Sequence, residues 1–195
     1  MRHNLSDIIE VIEDRRTIYP EQFSERKVHV EIIEKMLDAA RWAPSHGLTQ
    51  PWRFSVFTDE AINRLAYALC DQYKAFIPAE RFDPGKVEKI QRRTGKTSAM
   101  ILIGTHYDER GKIPNEEEVI ATGMAVQNLM LVAAAYGIGA FWSSPKYIDE
   151  PGIHAIAERD DMDRILGVLY LGYPEVEWPK GQRRPTEYFT HWINE

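Results

Sequence analysis

The stretch "EEEVIATGMAVQNLMLVAAAYG", residues 116 to 137, places the tightest limit on what this chain can fold into. Wound as a helix, it carries apolar residues nearly all the way round, with Thr122, Gln127 and Asn128 as its interior polar interruptions. A helix without a polar face belongs in the centre of a fold or at a large subunit interface. Gly137 is its natural stop, because glycine accepts the left-handed conformation that commonly ends a helix.

The rest of the chain supplies elements to surround it. Ser6 can cap a first helix with Ile8, Ile9 and Ile12 on one face, ending at Arg15 and Arg16, whose charges suit a helix C-terminus. From Val30 to Ala43 a second helix carries Ile32, Ile33, Met36, Leu37 and Ala40 at helical spacing, and Pro44 ends it. Phe54 to Phe57 read as a strand, and "DEAINRLAYALCDQYKAF" as a third helix. Residues 77 to 97 are polar, charged and twice broken by proline, so a mobile excursion with one helical piece is expected there. "SAMILIGTHY", "IGAFWSS" and "RILGVLYLGYP" read as strands, with a short helix in "DEPGIHAIAERD" led by Pro151. The order is α+β and helix-rich, with strands that tight hairpins cannot all join. After Pro174 the periodicity fails, and residues 175–195 form an arm too thin for a core of its own, expected to wrap a partner subunit. The expected organisation is a single domain over 1–195, a length that can bury a real core.

Composition narrows the function classes. At 44% hydrophobic and 28% charged residues, disordered and collagen-like classes drop out. No uninterrupted apolar run reaches the roughly 18 residues that span a bilayer. The opening "MRHNLSDIIEVIEDRR" sets acids inside its apolar stretch, so a signal peptide is not expected and the expected location is cytoplasmic. The lone cysteine, Cys70, excludes an internal disulfide framework and reads as a small buried hydrophobe. A net charge of −6 repels nucleic acid, so any bound anion must meet a local basic cluster. The histidines lack metal-ligand spacing, and no phosphate-loop, Rossmann, zinc-protease or nucleophile-elbow motif is present. Glu116, Glu117 and Glu118 suit a helix start better than a metal site.

Two basic clusters and one polar loop remain. Arg15 with Arg16, and "KGQRRP" at 180 to 185, could converge on a phosphomonoester, since a guanidinium fork matches a phosphate in shape and charge. Taken singly, each is more readily a dipole-complementing helix end or a solvated tail. In "RWAPSHGLTQPWRFSVF" a helix end gives way to Ser45, His46, Thr49 and Gln50 before a strand, fenced by Pro44 and Pro51. That is a stiff loop at an element junction, where ligands are commonly bound. The plainer reading is a rigid helix-to-strand turn with Trp52 packed in the core.

Taken in register, these segments resemble the flavin-dependent nitroreductase family. "DRRTI" looks like its Arg-Arg-Ser/Thr signature and "ARWAPSHGLTQPWRFSVF" like its A-P-S-x-x-x-x-Q-P-W-x-F block. "AVQNLMLVAAAYGIGAFW" looks like its central helix followed by Gly-x-Gly and an aromatic, and "LGYPE" with the later "RRP" like its closing strand and arm. The resemblance implies a central, mostly antiparallel sheet flanked by helices, a domain-swapped C-terminal arm, and FMN bound at a homodimer interface. By carry-over, Arg15, Arg16 and Thr17 grip the phosphate and ribityl chain, joined by Arg183 or Arg184 from the arm. Ser45, His46 and Gln50 reach the flavin from the partner subunit with Trp42 close by, and Trp142, Ser143 and Ser144 line the ring. In this sequence Leu48 stands where many relatives place an asparagine, and Tyr19 where they often have Lys or Arg.

The implied mechanism is ping-pong: NADH or NADPH delivers a hydride, leaves, and a nitroaromatic, quinone or other electron-poor acceptor takes the electrons. No protein acid or base is named as catalytic, since the flavin carries the chemistry. Positive charge near the flavin, Arg16 included, is expected to stabilise its reduced form. The rivals are a same-fold flavoprotein performing reductive dehalogenation or dehydrogenation, a flavin-binding module without turnover, and a structural dimer that binds no flavin.

Overall fold

A computed structural model of the chain describes residues 4–194. His3 and Glu195, the latter the last residue of the expected arm, lie outside the described residues. Four strands form one sheet in the order β1-β2-β4-β3, and every pairing is antiparallel. They are β1 (Trp52–Thr58), β2 (Ala99–Thr105), β3 (Gly139–Ser143) and β4 (Arg164–Gly172). Six α-helices accompany them among the described residues: α1 (Leu5–Asp14), α2 (Val30–Ala40), α3 (Glu60–Phe76), α4 (Pro84–Gly95), α5 (Asn115–Ala135) and α6 (Pro151–Ala157). This is the α+β order expected, with helices rather than hairpins separating the strands.

Side chains alternate across a strand, so the sheet builds two cores. On one face Ile101, Ile103, Leu169 and Leu171 meet Ile33 and Met36 of α2 and Ala125, Val126 and Leu129 of α5. On the other, Met100, Leu102, Val168 and Tyr170 meet Leu65 and Leu69 of α3 and Ile153 of α6. Helix α5 is long and apolar enough to cross a membrane by length and composition. Its buried Ala121, Ala125, Val126, Leu129 and Ala133 instead account for that composition, because they line the first core. It ends in a complete Schellman motif: Gly137 (φ +67°) donates to Ala134 at 2.9 Å and Ile138 to Ala133 at 2.8 Å.

Two expectations, the cap of α1 and the mobility of 77–97, need correction. Helix α1 is capped by Asn4, whose side chain accepts from the Ser6 N–H at 3.2 Å, so Ser6 lies inside the first turn rather than capping it. The isoleucine face of α1 is not core either, since Ile8, Ile9 and Ile12 are exposed. The stretch 77–97 is structured for most of its length: Asp83 caps α4 through the Gly85 N–H, and the Asp83 N–H donates to the Tyr73 hydroxyl of α3 at 3.0 Å. The first part of the arm lies on its own subunit, where Trp178 Nε1 donates to the Asp14 carbonyl at 2.6 Å.

The segment after α1 closes the open edge of β3. Thr17 bridges to Ala140, Ile18 N–H donates to the Ala140 carbonyl at 3.2 Å, and Ser24 N–H donates to Tyr173 at 2.7 Å. Gly139 and Gly172 make room for that approach, because a Cβ on Gly139 would lie 2.7 Å from Ile18 Cβ and one on Gly172 2.5 Å from Phe23. The two glycines of "GIG" thus serve different ends, Gly137 a backbone angle and Gly139 a close contact. Gly139→Ala is expected to cost about 1–3 kcal/mol through overpacking, read from the urea midpoint. A wild-type midpoint would show that the segment is loosely held.

Candidate functional site

The two ends of the chain meet at the C-terminus of α1. The backbone leaves the helix at Arg15, and Arg16 folds back so that Nη1 donates to the carbonyls of Glu13 and Arg15. The dipole-complementing role read from the sequence is therefore real, yet incomplete: Arg16 Nε is buried with no partner. Gly181 of the arm packs so closely on this guanidinium that a Cβ there would fall 2.0 Å from Arg16 Nη2. Arg183 lines the same cavity of about 360 Å³ with Ile12, Glu13 and Arg16. Burial, then the charges of Arg183 and Arg16, pull the Arg15 pKa below its usual value. Like charges gathered this way repel one another, a cost that a bound anion would relieve. Arg184 turns elsewhere, its guanidinium carbon 4.0 Å from the centre of the Tyr188 ring. Of the two arginines left open, Arg183 meets the cluster. Thr17 enters through its backbone bridge to Ala140.

The ring end lies further along β3, where strand alternation divides the expected residues. Phe141 packs with the second core and Ser143 opens on the same side, whereas the Trp142 side chain packs into the first core with Nε1 buried and unpartnered. Trp142 can thus offer only its backbone to a ring lying against Ser143, and Ser144 is exposed beyond it. Above Phe141 stand Tyr19, singled out in the sequence, and Arg93, which sequence reasoning missed. The Arg93 guanidinium carbon is 4.8 Å from the Phe141 ring centre, and the Tyr19 ring centre is 5.0 Å from it. Arg93 so brings a cation to the neighbourhood where Tyr19 withholds one. It is steadied by Glu21, whose Oε1 accepts from Arg93 Nε at 2.9 Å. Burial works to raise the Glu21 carboxyl, but the Arg93 hydrogen bond and the charges of Arg93 and Lys89 outweigh it and hold the group below its usual range. The signal for Arg93 was the basic stripe Lys86, Lys89, Arg93 at helical spacing, hidden by the prolines and charges around it.

The polar loop after α2 is built as a strained, pinned turn. Gly47, Leu48 and Gln50 all have positive φ, at 59°, 57° and 49°. Ser45 Oγ accepts from the Gln50 N–H at 3.1 Å, and Arg53 Nη1 donates to the Gln50 carbonyl at 3.0 Å. The first turn of α5 supplies the anchors. His46 Nδ1 lies 2.7 Å from Glu117 Oε2, and Thr49 Oγ1 donates to Glu118 Oε2 at 2.8 Å. Glu118 is fully buried, so these acids do more than favour a helix start: they hold the loop. Trp42 is 74% exposed, with its ring 5.5 Å from the Arg41 guanidinium, and within one subunit it meets none of the other site residues. The cavities beside the loop are lined by Leu48, Thr49 and Glu118, and by Pro44, Ser45 and His46. Neither includes Arg15, Arg16, Ser143 or Arg183, so a single chain does not bring the loop to the basic cluster.

Leucine at a left-handed position is strained, whereas asparagine visits it at small cost. Leu48→Asn is therefore expected to raise stability by about 0.5–1 kcal/mol, measured by denaturant unfolding. An unchanged or lowered midpoint would mean that Leu48 is relaxed as it stands.

Comparison with known proteins agrees with this geometry. The family model described as "Nitroreductase family" matches residues 12–173. YfhC of Bacillus subtilis (strain 168), named as a candidate NAD(P)H nitroreductase, is 28% identical over 184 residues, covering 93% of this chain and 91% of its own. Among solved structures, a nitroreductase-like family protein from Bacillus cereus superposes with a TM-score of 0.83 at 25% identity, covering 100% of both chains. The FMN-dependent nitroreductase NfnB from Mycobacterium smegmatis, solved with NADPH, superposes at 0.73 with 18% identity, over 97% of this chain and 100% of that one. A family model spanning the sheet, the central helix and the basic end of α1 leaves one conclusion: the chain belongs to the nitroreductase family.

Proposed function

We propose that this protein is an FMN-dependent oxidoreductase that uses NADH or NADPH to reduce electron-poor small molecules such as nitroaromatics and quinones. One observation carries the reading: Arg15, Arg16 and Arg183 converge from opposite ends of an acidic chain, and a buried guanidinium nitrogen among them has no partner. That arrangement fits the phosphate of FMN, and Arg93 beside Phe141 fits the need for positive charge at the ring. The names of the relatives, NAD(P)H nitroreductase and FMN-dependent nitroreductase among them, support the same cofactors.

When bound, FMN supplies the two-electron chemistry that links a reduced nicotinamide to an acceptor. The chain's own part is to hold and tune. Arg15, Arg16 and Arg183 hold the phosphate, and the backbone of Trp142 with Ser143 and Ser144 borders the ring. The ring's charge is tuned by Arg93 rather than by Arg16, because Arg16 sits in the phosphate cavity and Arg93 in the cavity of Ser143.

The reading extends to a homodimer in which Ser45, His46 and Gln50 serve the partner's flavin. It is supported by the loop's separation from the basic cluster within one chain and by exposed apolar faces on α1 and α5, Ile120 and Met124 among them. The arm past Gly181 presents Phe189, Trp192 and Ile193 to solvent at 70%, 79% and 82%, a tail that a second subunit would cover. The free, buried Cys70 suits a cytoplasmic setting.

The purified protein is expected to be yellow and to lose that colour under NADH or NADPH without oxygen. A protein that takes up no added FMN would end the proposal. Arg16→Ala is expected to weaken FMN binding about 10- to 100-fold, the loss of charge-assisted hydrogen bonds to a phosphate. Arg64→Ala, which breaks a surface pair with Glu158, serves as the control. Equal affinity in the two variants would remove the phosphate assignment.

A further inference from the structure

We propose that Arg53 is a positioning residue: anchored to Asp161, it clamps the Gln50 carbonyl, holds Gln50 in its left-handed conformation and so presents the Gln50 amide to the partner's flavin. The inference rests on the homodimeric flavoenzyme reading above. Gln50 has φ +49°, a conformation that residues other than glycine, asparagine and aspartate rarely adopt. Side chains, not a backbone ladder, hold its peptide groups. Ser45 Oγ accepts from the Gln50 N–H at 3.1 Å, and Arg53 Nη1 donates to the Gln50 carbonyl at 3.0 Å and to that of Trp52 at 3.1 Å. The Gln50 side chain itself is exposed and makes no hydrogen bond among the described residues.

The clamp is fixed from outside the loop. Arg53 is the second residue of β1, and its Nε donates to Asp161 Oδ2 at 2.5 Å. Arg159 forks onto the same carboxylate, Nε to Oδ1 and Nη2 to Oδ2, both at 2.8 Å. The Arg159 bonds, joined by that of Arg53, outweigh burial and hold the Asp161 carboxyl well below the usual carboxylate range, so the anchor is ionised at neutral pH. The segment that carries Asp161, between α6 and β4, is itself tied to the sheet: Met162 is buried, and the Asp163 N–H donates to the Thr105 carbonyl at 3.0 Å. An exposed ion pair alone would add little. Arg53 differs because its side chain is only 21% exposed and because its guanidinium serves the carbonyls of a strained turn. Such strain persists only where neighbouring bonds over-determine the backbone, and the path from the sheet through Asp161 and Arg53 to Gln50 supplies them.

The test is a double-mutant cycle on FMN affinity, read by flavin fluorescence with the full chain. Arg53→Met keeps the apolar stem and removes the guanidinium, whereas Asp161→Asn weakens the anchor without touching the loop. Arg53→Met is expected to weaken FMN binding about tenfold and Asp161→Asn about threefold, the scale of one misplaced hydrogen bond. In a Gln50→Ala background both losses are expected to shrink below about twofold, because the residue they position is gone. A role in general stability would leave the losses undiminished in that background. Such a result, or wild-type affinity in both single variants, overturns the proposal, and Asp161→Asn carries the cycle alone if Arg53→Met does not fold. Hydrogen exchange of the Gln50 N–H in flavin-free protein reads the clamp without the cofactor, and it is expected to quicken in Asp161→Asn. A wild type that takes up no FMN while exchange quickens in the variant would reject the flavoenzyme reading and keep the clamp. Unchanged exchange would remove the clamp itself.

Discussion

The segment between Thr17 and Ser24 is the constraint on which the rest depends. Its backbone bonds to Ala140 and Tyr173 seal the free edge of β3 and fix the direction in which α1 leaves the sheet. An unsealed edge would invite pairing with other chains, so the seal is structural before it is functional. The same few residues then set the site. Arg15 and Arg16 lie just before the seal, Tyr19 stands over Phe141, and Glu21 steadies Arg93. Glycines at 139 and 172 permit this approach, and side chains there would push the whole row outward.

Charge is divided along the site. The phosphate end concentrates guanidinium groups near an unpartnered nitrogen, while the ring end relies on Arg93 from a different element. On the proposed reading, separation lets affinity and chemistry be set apart: the first cluster would decide whether the cofactor stays, the second what charge the ring can carry. The acids of the chain are not wasted on repulsion near either end. Glu117 and Glu118 serve the polar loop, where a buried carboxylate holds Thr49 in a turn with three left-handed residues. Strain of this kind persists where surrounding bonds over-determine the backbone, as they do at binding loops.

Much of the architecture was readable because the sequence signals agreed locally. The apolar run of α5, Gly137 at its end, and the Ile- and Leu-rich β2 and β4 each point to a single structure. Other features needed three dimensions. Ser6 and Asn4 compete to cap α1 over two residues, and only geometry separates them. The helical piece expected within 77–97 is α4, and its extent was obscured because Pro84 begins it, a position where proline favours a helix rather than breaking one. Trp142 was grouped with Ser143 by the family resemblance, though neighbours on a strand face opposite ways. Glu118 read as an acid suited to a helix start, since nothing local announces that a carboxylate will be buried under a loop 69 residues away.

The central claim is that guanidinium groups from both ends of the chain grip a phosphorylated flavin by its phosphate. Riboflavin carries the same ring without that group. Equilibrium titration of flavin-free protein with FMN and with riboflavin is therefore the most direct measurement. The account predicts that FMN binds at least about a hundredfold more tightly, roughly what two charge-assisted contacts supply, and that rising salt narrows the gap. Equal affinity for the two flavins would contradict it.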